Sequence, residues 1–370
     1  MTILIFLIIL GIIVLVHECG HFFVAKKFGI RVDEFGIGFP PKVYGKKIGE
    51  TEYTINWFPI GGFVRIWGED PTEEHLTGPG SERSFVSKPR YQQALVLVAG
   101  VTMNVILAFV LYTLSYMIGM PTAVDNAQDA SVSNVHLTVT NVLPKGPADA
   151  FLKPGDQIES VSRASGASLD TAGIASTTQV ANFIAESKDA AVTLGLVRGT
   201  QHFTHTASPK AGVISSDPSR YALGFSMSFV GTSQYGLWES ITRGAERTYG
   251  ATSDILGGFG ELLHRIGAGT ADMSQVAGPV GIVNMVGDAA SLGLVWLLTF
   301  SAFISLNLAV INVLPIPALD GGRLLFVLIE AIIRRPISPS IANRVNTIGF
   351  IALLALMALV TVHDVIKLFN

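Results

Sequence analysis

Four long apolar runs constrain this chain more than any other feature of its sequence. The first, Met1–Ala25, contains a single charged residue, Glu18. The other three contain none, and they are Ala94–Val124, Ala289–Leu319 and Val345–His363. A helix needs about 20 apolar residues to cross the hydrocarbon core of a bilayer. The sequence therefore predicts a polytopic α-helical membrane protein with about four transmembrane helices.

The composition agrees with that fold class. Only 14% of the 370 residues are charged, whereas globular proteins carry about 25%. The net charge of −3 gives no indication of a nucleic-acid partner, and the single cysteine, Cys19, excludes an intrachain disulfide. No Lys or Arg precedes Lys26, and a secretory signal peptide begins with basic residues. We therefore expect the first run to be a membrane helix and not a cleaved signal.

Positive residues predict the orientation of the helices. Residues 26–93 contain ten Lys or Arg, and the segment between the third and fourth runs contains four more. Cytoplasmic loops carry such an excess, so we expect both segments on the cytoplasmic side. Alternation then places both termini and the middle segment outside. The expected location is the inner membrane of a bacterium, as a multi-pass protein with the lipid bilayer around it.

The segments between the helices have different patterns. Residues 28–90 show strand-like alternation and a Gly61-Gly62 turn signal, which predicts a membrane-associated or re-entrant β-hairpin region, or a plain cytoplasmic hairpin. Residues 125–230 predict an inserted α+β soluble domain, and 231–288 an amphipathic connector. The predicted boundaries are helices at 1–27, 91–122, 289–319 and 345–366, with a cytoplasmic loop at 320–344.

Two histidines and a glutamate interrupt the first apolar run. His17-Glu18-Cys19-Gly20-His21 fits the pattern H-E-x-x-H, in which two imidazoles on one helix face bind zinc and the glutamate acts as a general base. An ionisable group inside a membrane helix costs about 2.5–3.5 kcal/mol. The alternative is that the histidines lie at the interface and end the helix there. Because this insertion cost makes ionisable groups without a function rare in membrane helices, the sequence favours a metal site.

A catalytic zinc site usually needs a third protein ligand, and helix order indicates where to find it. The first and third runs cross the membrane in the same direction, and both motifs lie at the inner ends. There the sequence NVLPIPALDGG, residues 312–322, contains Asp320, the first charge after 31 uncharged residues. Asp320 is the predicted third ligand, although an Asp-Gly pair is also typical of a turn. Pro315 and Pro317 predict a break in the helix.

Together, H-E-x-x-H and N-x-x-P-x-P-x-L-D-G-G resemble the site-2 protease family of intramembrane zinc metalloproteases, of the bacterial regulator-of-sigma-E type. The resemblance covers nearly the whole chain. It implies one Zn²⁺ held by His17, His21 and Asp320, with Glu18 as the base on metal-bound water and Asn312 in contact with substrate. The sequence KGPADAFLKPGDQIESV, residues 145–161, is similar to bacterial PDZ domains.

The resemblance also implies a function. Such proteases hydrolyse peptide bonds within transmembrane segments of single-span proteins already shortened by another protease, such as anti-sigma factors or remnant signal peptides. We expect the β-loop near Gly61 and Gly62 to pair with an unwound substrate. Two rival functions are a silent scaffold that binds partners through its PDZ-like domain and a metal transporter. The complete set of predicted ligands and base argues against the first. A transporter would need further ligands at other depths.

Overall fold

The computed structural model describes residues 1–69, 75, 77–124, 132–171, 176–214, 217–270, 278–335 and 337–369. In chain order its helices and strands are α1 (Thr2–Lys27), β1 (Val32–Ile48), β2 (Thr51–Ile66), α2 (Arg90–Ile118), β3 (Met120–Val124), β4 (Ser133–Val142), β5 (Gln157–Arg163), β6 (Ser168–Asp170), α3 (Thr177–Glu186), β7 (Val192–Arg198), β8 (Gln201–Ala207), β9 (Phe225–Ser233), α4 (Leu237–Gly267), α5 (Pro279–Leu292), α6 (Leu294–Val313), α7 (Asp320–Ile333) and α8 (Pro339–Phe369). The predicted regions that include 70–74, 125–131 and 271–277 lie partly outside the described residues.

Four helices are long and apolar enough to cross a membrane. They are α1, α2, α6 and the part of α8 from Pro339 to Val362, with 20 to 29 residues each. This confirms the predicted number of membrane helices. Large apolar side chains remain exposed along them, Ile3 and Ile351 among them, because the hydrophobic surface of a membrane helix faces lipid.

Three details of the sequence prediction were wrong. The segment 289–319 is not one helix, because Gly293 adopts a positive φ of 115° and separates α5 from α6. Residues 320–344 are not simply a loop, since α7 occupies Asp320–Ile333. The second membrane helix ends at Ile118 instead of 122. An average of hydropathy over many residues does not reveal a single glycine with a positive φ. It also does not distinguish an amphipathic helix from a charged loop.

Strands β1 and β2 form a two-stranded antiparallel sheet that is bent over on itself. The first part of β1, residues 34–37, pairs with two parts of β2, residues 52–55 and residues 62–65. The last part of β1, residues 42–48, pairs with the first part of β2, residues 51–56. The chain passes close to α1, where a Cβ on Gly11 would lie 3.7 Å from the Pro59 carbonyl oxygen. Near this bend Trp57 and Phe58 are exposed. The hairpin therefore runs beside a membrane-length helix, with aromatic side chains on its surface.

An ion cluster ties the hairpin to the end of α1. Glu50, between the strands, accepts a hydrogen bond from Lys26 Nζ at 2.6 Å, and Arg83 Nη1 lies 2.6 Å from its other oxygen. The Arg83 guanidinium, together with the Lys26 ammonium, lowers the pKa of the Glu50 carboxyl to about 2. These contacts fix the distance between the last turn of α1 and the start of β2.

A second compact unit comprises Leu114–Ile241 and Ala289–Leu297. Its sheet has the strand order β3-β9-β4-β5-β7-β8, with β6 on β5. Helix α3 packs Val180 and Ile184 into the same core as Leu194 and Phe229. The predicted α+β character is confirmed.

Candidate metal centre

The two histidines of the H-E-x-x-H motif lie on one face of α1. His17 and His21 are four residues apart, which brings side chains together on a helix, and their Nε2 atoms are 3.1 Å apart. Each residue is only 6% exposed. The imidazoles therefore turn the same atom toward one point inside the protein.

Asp320 lies at the point that the Nε2 atoms of His17 and His21 face. Its Oδ2 lies 3.0 Å from His17 Nε2 and 3.2 Å from His21 Nε2. Helix α6 ends at Val313, as the two prolines predict, and the chain turns through Ala318 at a φ of 75° before Asp320 begins α7. A Cβ on Gly321 would overlap the carbonyl oxygens of the preceding turn. The second motif is thus a tight turn that needs glycine to place its aspartate.

The three donor atoms fit a zinc ion. His17, His21 and Asp320 form the group of possible metal ligands found among the described residues, with one ligand atom from each within 4.8 Å of the others. Ligands about 2.0–2.2 Å from zinc in a tetrahedron are about 3.3–3.6 Å apart, and the donors here are 3.0–3.2 Å apart. Two neutral imidazoles and one carboxylate leave a fourth position for water or substrate.

Helix α2 packs directly behind the histidines. A Cβ on Gly20 would overlap the backbone of Ala99, and a Cβ on Gly100 would overlap His21 Nε2 and lie 2.8 Å from His17 Cε1. This close approach allows His21 Nδ1 to bond the Val96 carbonyl oxygen at 2.8 Å. Small residues on both helices therefore set the distance between the backbone of α2 and the imidazole rings.

Three asparagines of the membrane helices differ in their relation to the site. Asn312 Nδ2 lies 3.5 Å from His17 Nε2, and Asn104 Nδ2 lies 3.3 Å from His17 Nδ1. Asn307 donates to the Phe303 carbonyl oxygen within its own helix. The structure thus brings Asn104 and Asn312 to the candidate metal centre, whereas Asn307 forms this bond within α6.

Glu18 faces a cavity next to the three donors. The cavity has a volume of about 560 Å³, and Glu18, His21 and Asp320 line it together with residues of β2. Glu18 Oε2 accepts a hydrogen bond from the backbone N–H of Val64 at 3.1 Å. The carboxylate therefore has one fixed partner, and space for water and a substrate remains beside it.

The predicted substrate-binding glycines lie next to α1, beside Val14 and Leu15. Gly61 has a φ of 89°, and a Cβ there would lie 3.2 Å from Val14. A Cβ on Gly62 would lie 2.9 Å from the Gly36 carbonyl oxygen. Both glycines are buried. They allow β2 to lie directly along α1 from Gly11 toward Glu18.

Sequence reasoning missed part of this site. The Val64 N–H and the Val96 carbonyl are backbone groups, which every residue has, so no pattern of residue types marks them. Gly100 was visible only as one glycine in an apolar run. Asn104, in the sequence AGVTMN, is visible as a polar residue that either packs between helices or faces the site, because small and polar residues in membrane helices are typical of helix contacts.

Membrane-length helices α1, α2 and α6 meet at a buried pair of histidines, with a carboxylate and a nearby glutamate. These features define a class: a membrane-embedded metal-dependent hydrolase. A model of peptidase family M50 matches residues 5–356. The chain belongs to this family and is a zinc metalloprotease.

Relatives with curated names support the assignment. The chain is 35% identical to a predicted zinc metalloprotease of Clostridium perfringens, over 99% of each protein. It is 30% identical to the regulator of sigma-W protease RasP of Bacillus subtilis and 31% identical to the zinc metalloprotease RasP of Bacillus licheniformis, in each case over 100% of this chain and 99% of the relative. The similarity therefore spans the membrane helices and the inserted domain alike.

Proposed function

We propose that this zinc metalloprotease hydrolyses peptide bonds inside the membrane, within transmembrane segments of single-span proteins. In this proposal His17, His21 and Asp320 hold one zinc ion, and Glu18 is the general base. The observation that supports it most directly is the approach of the three donor atoms to 3.0–3.2 Å of one another. They meet between two membrane-length helices, with Glu18 in the adjoining cavity.

The depth of the site supports an intramembrane substrate. His17 is 15 residues from Thr2 along α1, which corresponds to about 22 Å at 1.5 Å per residue. The hydrocarbon core is about 30 Å thick. A peptide bond that reaches this site must therefore enter the hydrocarbon layer or its inner boundary, where a soluble substrate would not go.

The protein supplies proton transfer and orientation. Zinc, when bound, acts as a Lewis acid on a carbonyl and lowers the pKa of a coordinated water toward 7. Glu18 Oε1 or Oε2 takes a proton from the attacking water and delivers it to the leaving nitrogen. Asn312 Nδ2, beside His17, is placed to donate to the oxygen on which charge develops.

A substrate helix hides its carbonyl groups in its own hydrogen bonds, so it must unwind locally. The β2 segment near Gly61, Gly62 and Val64 runs beside α1 and toward Glu18. A strand edge can pair with an extended peptide through main-chain hydrogen bonds. We therefore assign this edge the role of holding the unwound segment next to Glu18.

The orientation and the substrates belong to the same proposal. The excess of Lys and Arg in residues 26–93 supports an orientation in a bacterial inner membrane with the metal centre toward the cytoplasm and the inserted PDZ-like domain outside. The PDZ-like domain would then admit single-span substrates already shortened by another protease. The sigma-W regulator name of the Bacillus subtilis relative supports an anti-sigma factor as one such substrate.

Substitution of the base tests the proposal. Glu18→Gln keeps the size of the side chain but cannot accept the proton, so we expect cleavage of a single-span model substrate in proteoliposomes to fall at least 100-fold, with zinc content unchanged. Glu246→Gln, at an exposed position of α4, is the matched control and should cleave normally. Undiminished cleavage by Glu18→Gln would exclude Glu18 as the base.

A further inference from the structure

Asn104 of α2 contacts the metal centre from behind. Its side chain is completely buried, and its Nδ2 lies 3.3 Å from His17 Nδ1. Within the described part of the chain, its Oδ1 has no hydrogen-bond partner. A buried amide oxygen without a partner costs about 1–3 kcal/mol, so this arrangement of the amide needs an explanation.

The protonation of His17 supplies one. An imidazole that binds a metal through Nε2 must carry its proton on Nδ1, where it becomes a donor and needs an acceptor. His21 meets this requirement, because its Nδ1 faces the Val96 carbonyl oxygen at 2.8 Å. His17 Nδ1 faces an amide NH₂ instead, and two N–H groups cannot bond each other.

Rotation of the Asn104 amide by 180° removes the conflict. The oxygen and nitrogen of an amide are nearly indistinguishable in shape, and their placement follows from the hydrogen bonds they make. After the rotation, Oδ1 lies where Nδ2 now lies and accepts the proton of His17 Nδ1. The backbone of Asn104 is held in place for this contact, because Ser305 Oγ on α6 donates to its carbonyl oxygen at 2.8 Å.

We propose that Asn104 is a positioning residue, whose Oδ1 accepts the Nδ1–H of His17 and thereby presents Nε2 to the metal. The inference rests on the proposed ligation by His17. It assigns to α2 one acceptor for each histidine, the Val96 carbonyl for His21 and the Asn104 side chain for His17. Loss of such a partner typically weakens metal affinity 10- to 100-fold.

Two variants with the same number and branching of side-chain heavy atoms separate the roles that Asn104 could have. Asn104→Asp keeps an acceptor and removes the NH₂ group, and Asn104→Leu removes both. The control is Asn307→Leu, since Asn307 donates its hydrogen bond to a carbonyl oxygen of its own helix. Zinc affinity of the full-length protein in detergent is measured by competition with a chromogenic chelator. The visible spectrum after Co²⁺ substitution reports the coordination geometry.

Each role gives a different pattern of affinities. If Asn104 accepts the proton, zinc affinity falls 10- to 100-fold in Asn104→Leu with an altered Co²⁺ spectrum, and stays within about threefold of wild type in Asn104→Asp and Asn307→Leu. If Asn104 only fills space, all three variants bind normally, and the proposal is overturned. If its NH₂ group is what matters, Asn104→Asp weakens as much as Asn104→Leu, which also overturns it.

Two further measurements keep the outcome clear. Thermal unfolding with excess chelator shows whether Asn104→Leu folds without metal, and if it does not, a tenfold loss of zinc affinity in Asn104→Asp still overturns the proposal. His17→Ala tests the ligation itself. If that variant keeps wild-type zinc affinity, the metal site is wrong; if it loses zinc while Asn104→Leu binds normally, only the role of Asn104 is wrong.

Discussion

Glu18 Oε2 accepts a hydrogen bond from the backbone N–H of Val64 at 3.1 Å. This contact joins the motif on α1 to the hairpin strand β2 through two residues that are 46 positions apart in the sequence. Val64 pairs with Phe35 in the sheet, and its N–H points to α1 instead of to β1. The strand that we expect to hold a substrate thus also orients the proposed base.

Removal of this N–H should therefore impair catalysis more than substrate binding. Proline lacks the N–H and is tolerated where a strand N–H points out of the sheet. A hydrogen bond to a charged group contributes about 1.5–3 kcal/mol, which corresponds to about a 10- to 100-fold lower kcat for Val64→Pro. Cleavage of a model substrate in proteoliposomes, measured at several substrate densities, separates kcat from KM.

Val64→Ala is the matched control for that experiment, because it shortens the side chain and keeps the N–H. We expect a kcat within about threefold of wild type, since its side chain is only partly buried. A folded Val64→Pro protein with wild-type kcat would show that the bond to Glu18 does not matter. A rise in KM alone would assign the N–H to the substrate and not to the base.

Asp320 should be required for metal binding. Asparagine keeps the shape of the side chain but loses the negative charge, so Asp320→Asn should bind zinc at least 100-fold more weakly, a larger loss than removal of an outer partner causes. Asp33→Asn is the control, because Asp33 lines the same cavity but pairs with Arg31 and lies outside the ligand group. Metal content after equilibrium dialysis gives the answer. Stoichiometric zinc in Asp320→Asn would remove Asp320 from the ligand set.

The sequence predicts the proposed ligand group better than it predicts its surroundings. His17 and His21 are ionisable residues inside an apolar run, Asp320 directly follows another, and helix order alone predicts that they lie at one depth. The chain turn after Val313 follows from Pro315 and Pro317, which cannot continue a helix. These features depend on residue type, and residue type is what a sequence records directly.

The remaining features depend on backbone geometry. Gly293 divides one apolar run into two helices through its positive φ, and hydropathy does not report a dihedral angle. The partner of Glu18 is a main-chain N–H, whose position follows from how β2 bends along α1. Long-range packing of this kind is set by the whole fold and leaves no local pattern.

Gly100 should tolerate no side chain. A Cβ at this position would overlap His21 Nε2 and lie 2.8 Å from His17 Cε1, so Gly100→Ala must displace the imidazoles or the helix. Overpacking typically costs 1–3 kcal/mol, and here the strain falls on the ligands. We expect at least 10-fold weaker zinc binding and a lower unfolding temperature.

Gly11→Ala is the matched control for Gly100→Ala. Gly11 lies on α1, and a Cβ there would make an ordinary contact of 3.7 Å with the Pro59 carbonyl oxygen. Zinc affinity should remain as in wild type, as chelator competition can show. Equal zinc affinity in both alanine variants would mean that α2 can move away from the histidines without consequence.

Stability in acid should depend on Glu50. Arg83 and Lys26 lower the pKa of its carboxyl from 4.5 to about 2 in the folded protein. A carboxyl with a depressed pKa stabilises the fold above its unfolded pKa and loses that contribution as pH falls from about 4.5 to about 2. Because the group is partly exposed, the contribution should be below about 1 kcal/mol.

Glu50→Gln should therefore lower the unfolding temperature at neutral pH, and the difference from wild type should shrink in acid. Thermal unfolding in detergent at about pH 6 and about pH 3 measures this, with Glu246→Gln as the control. An equal difference at both pH values would show that the ionised carboxylate is not what Glu50 contributes.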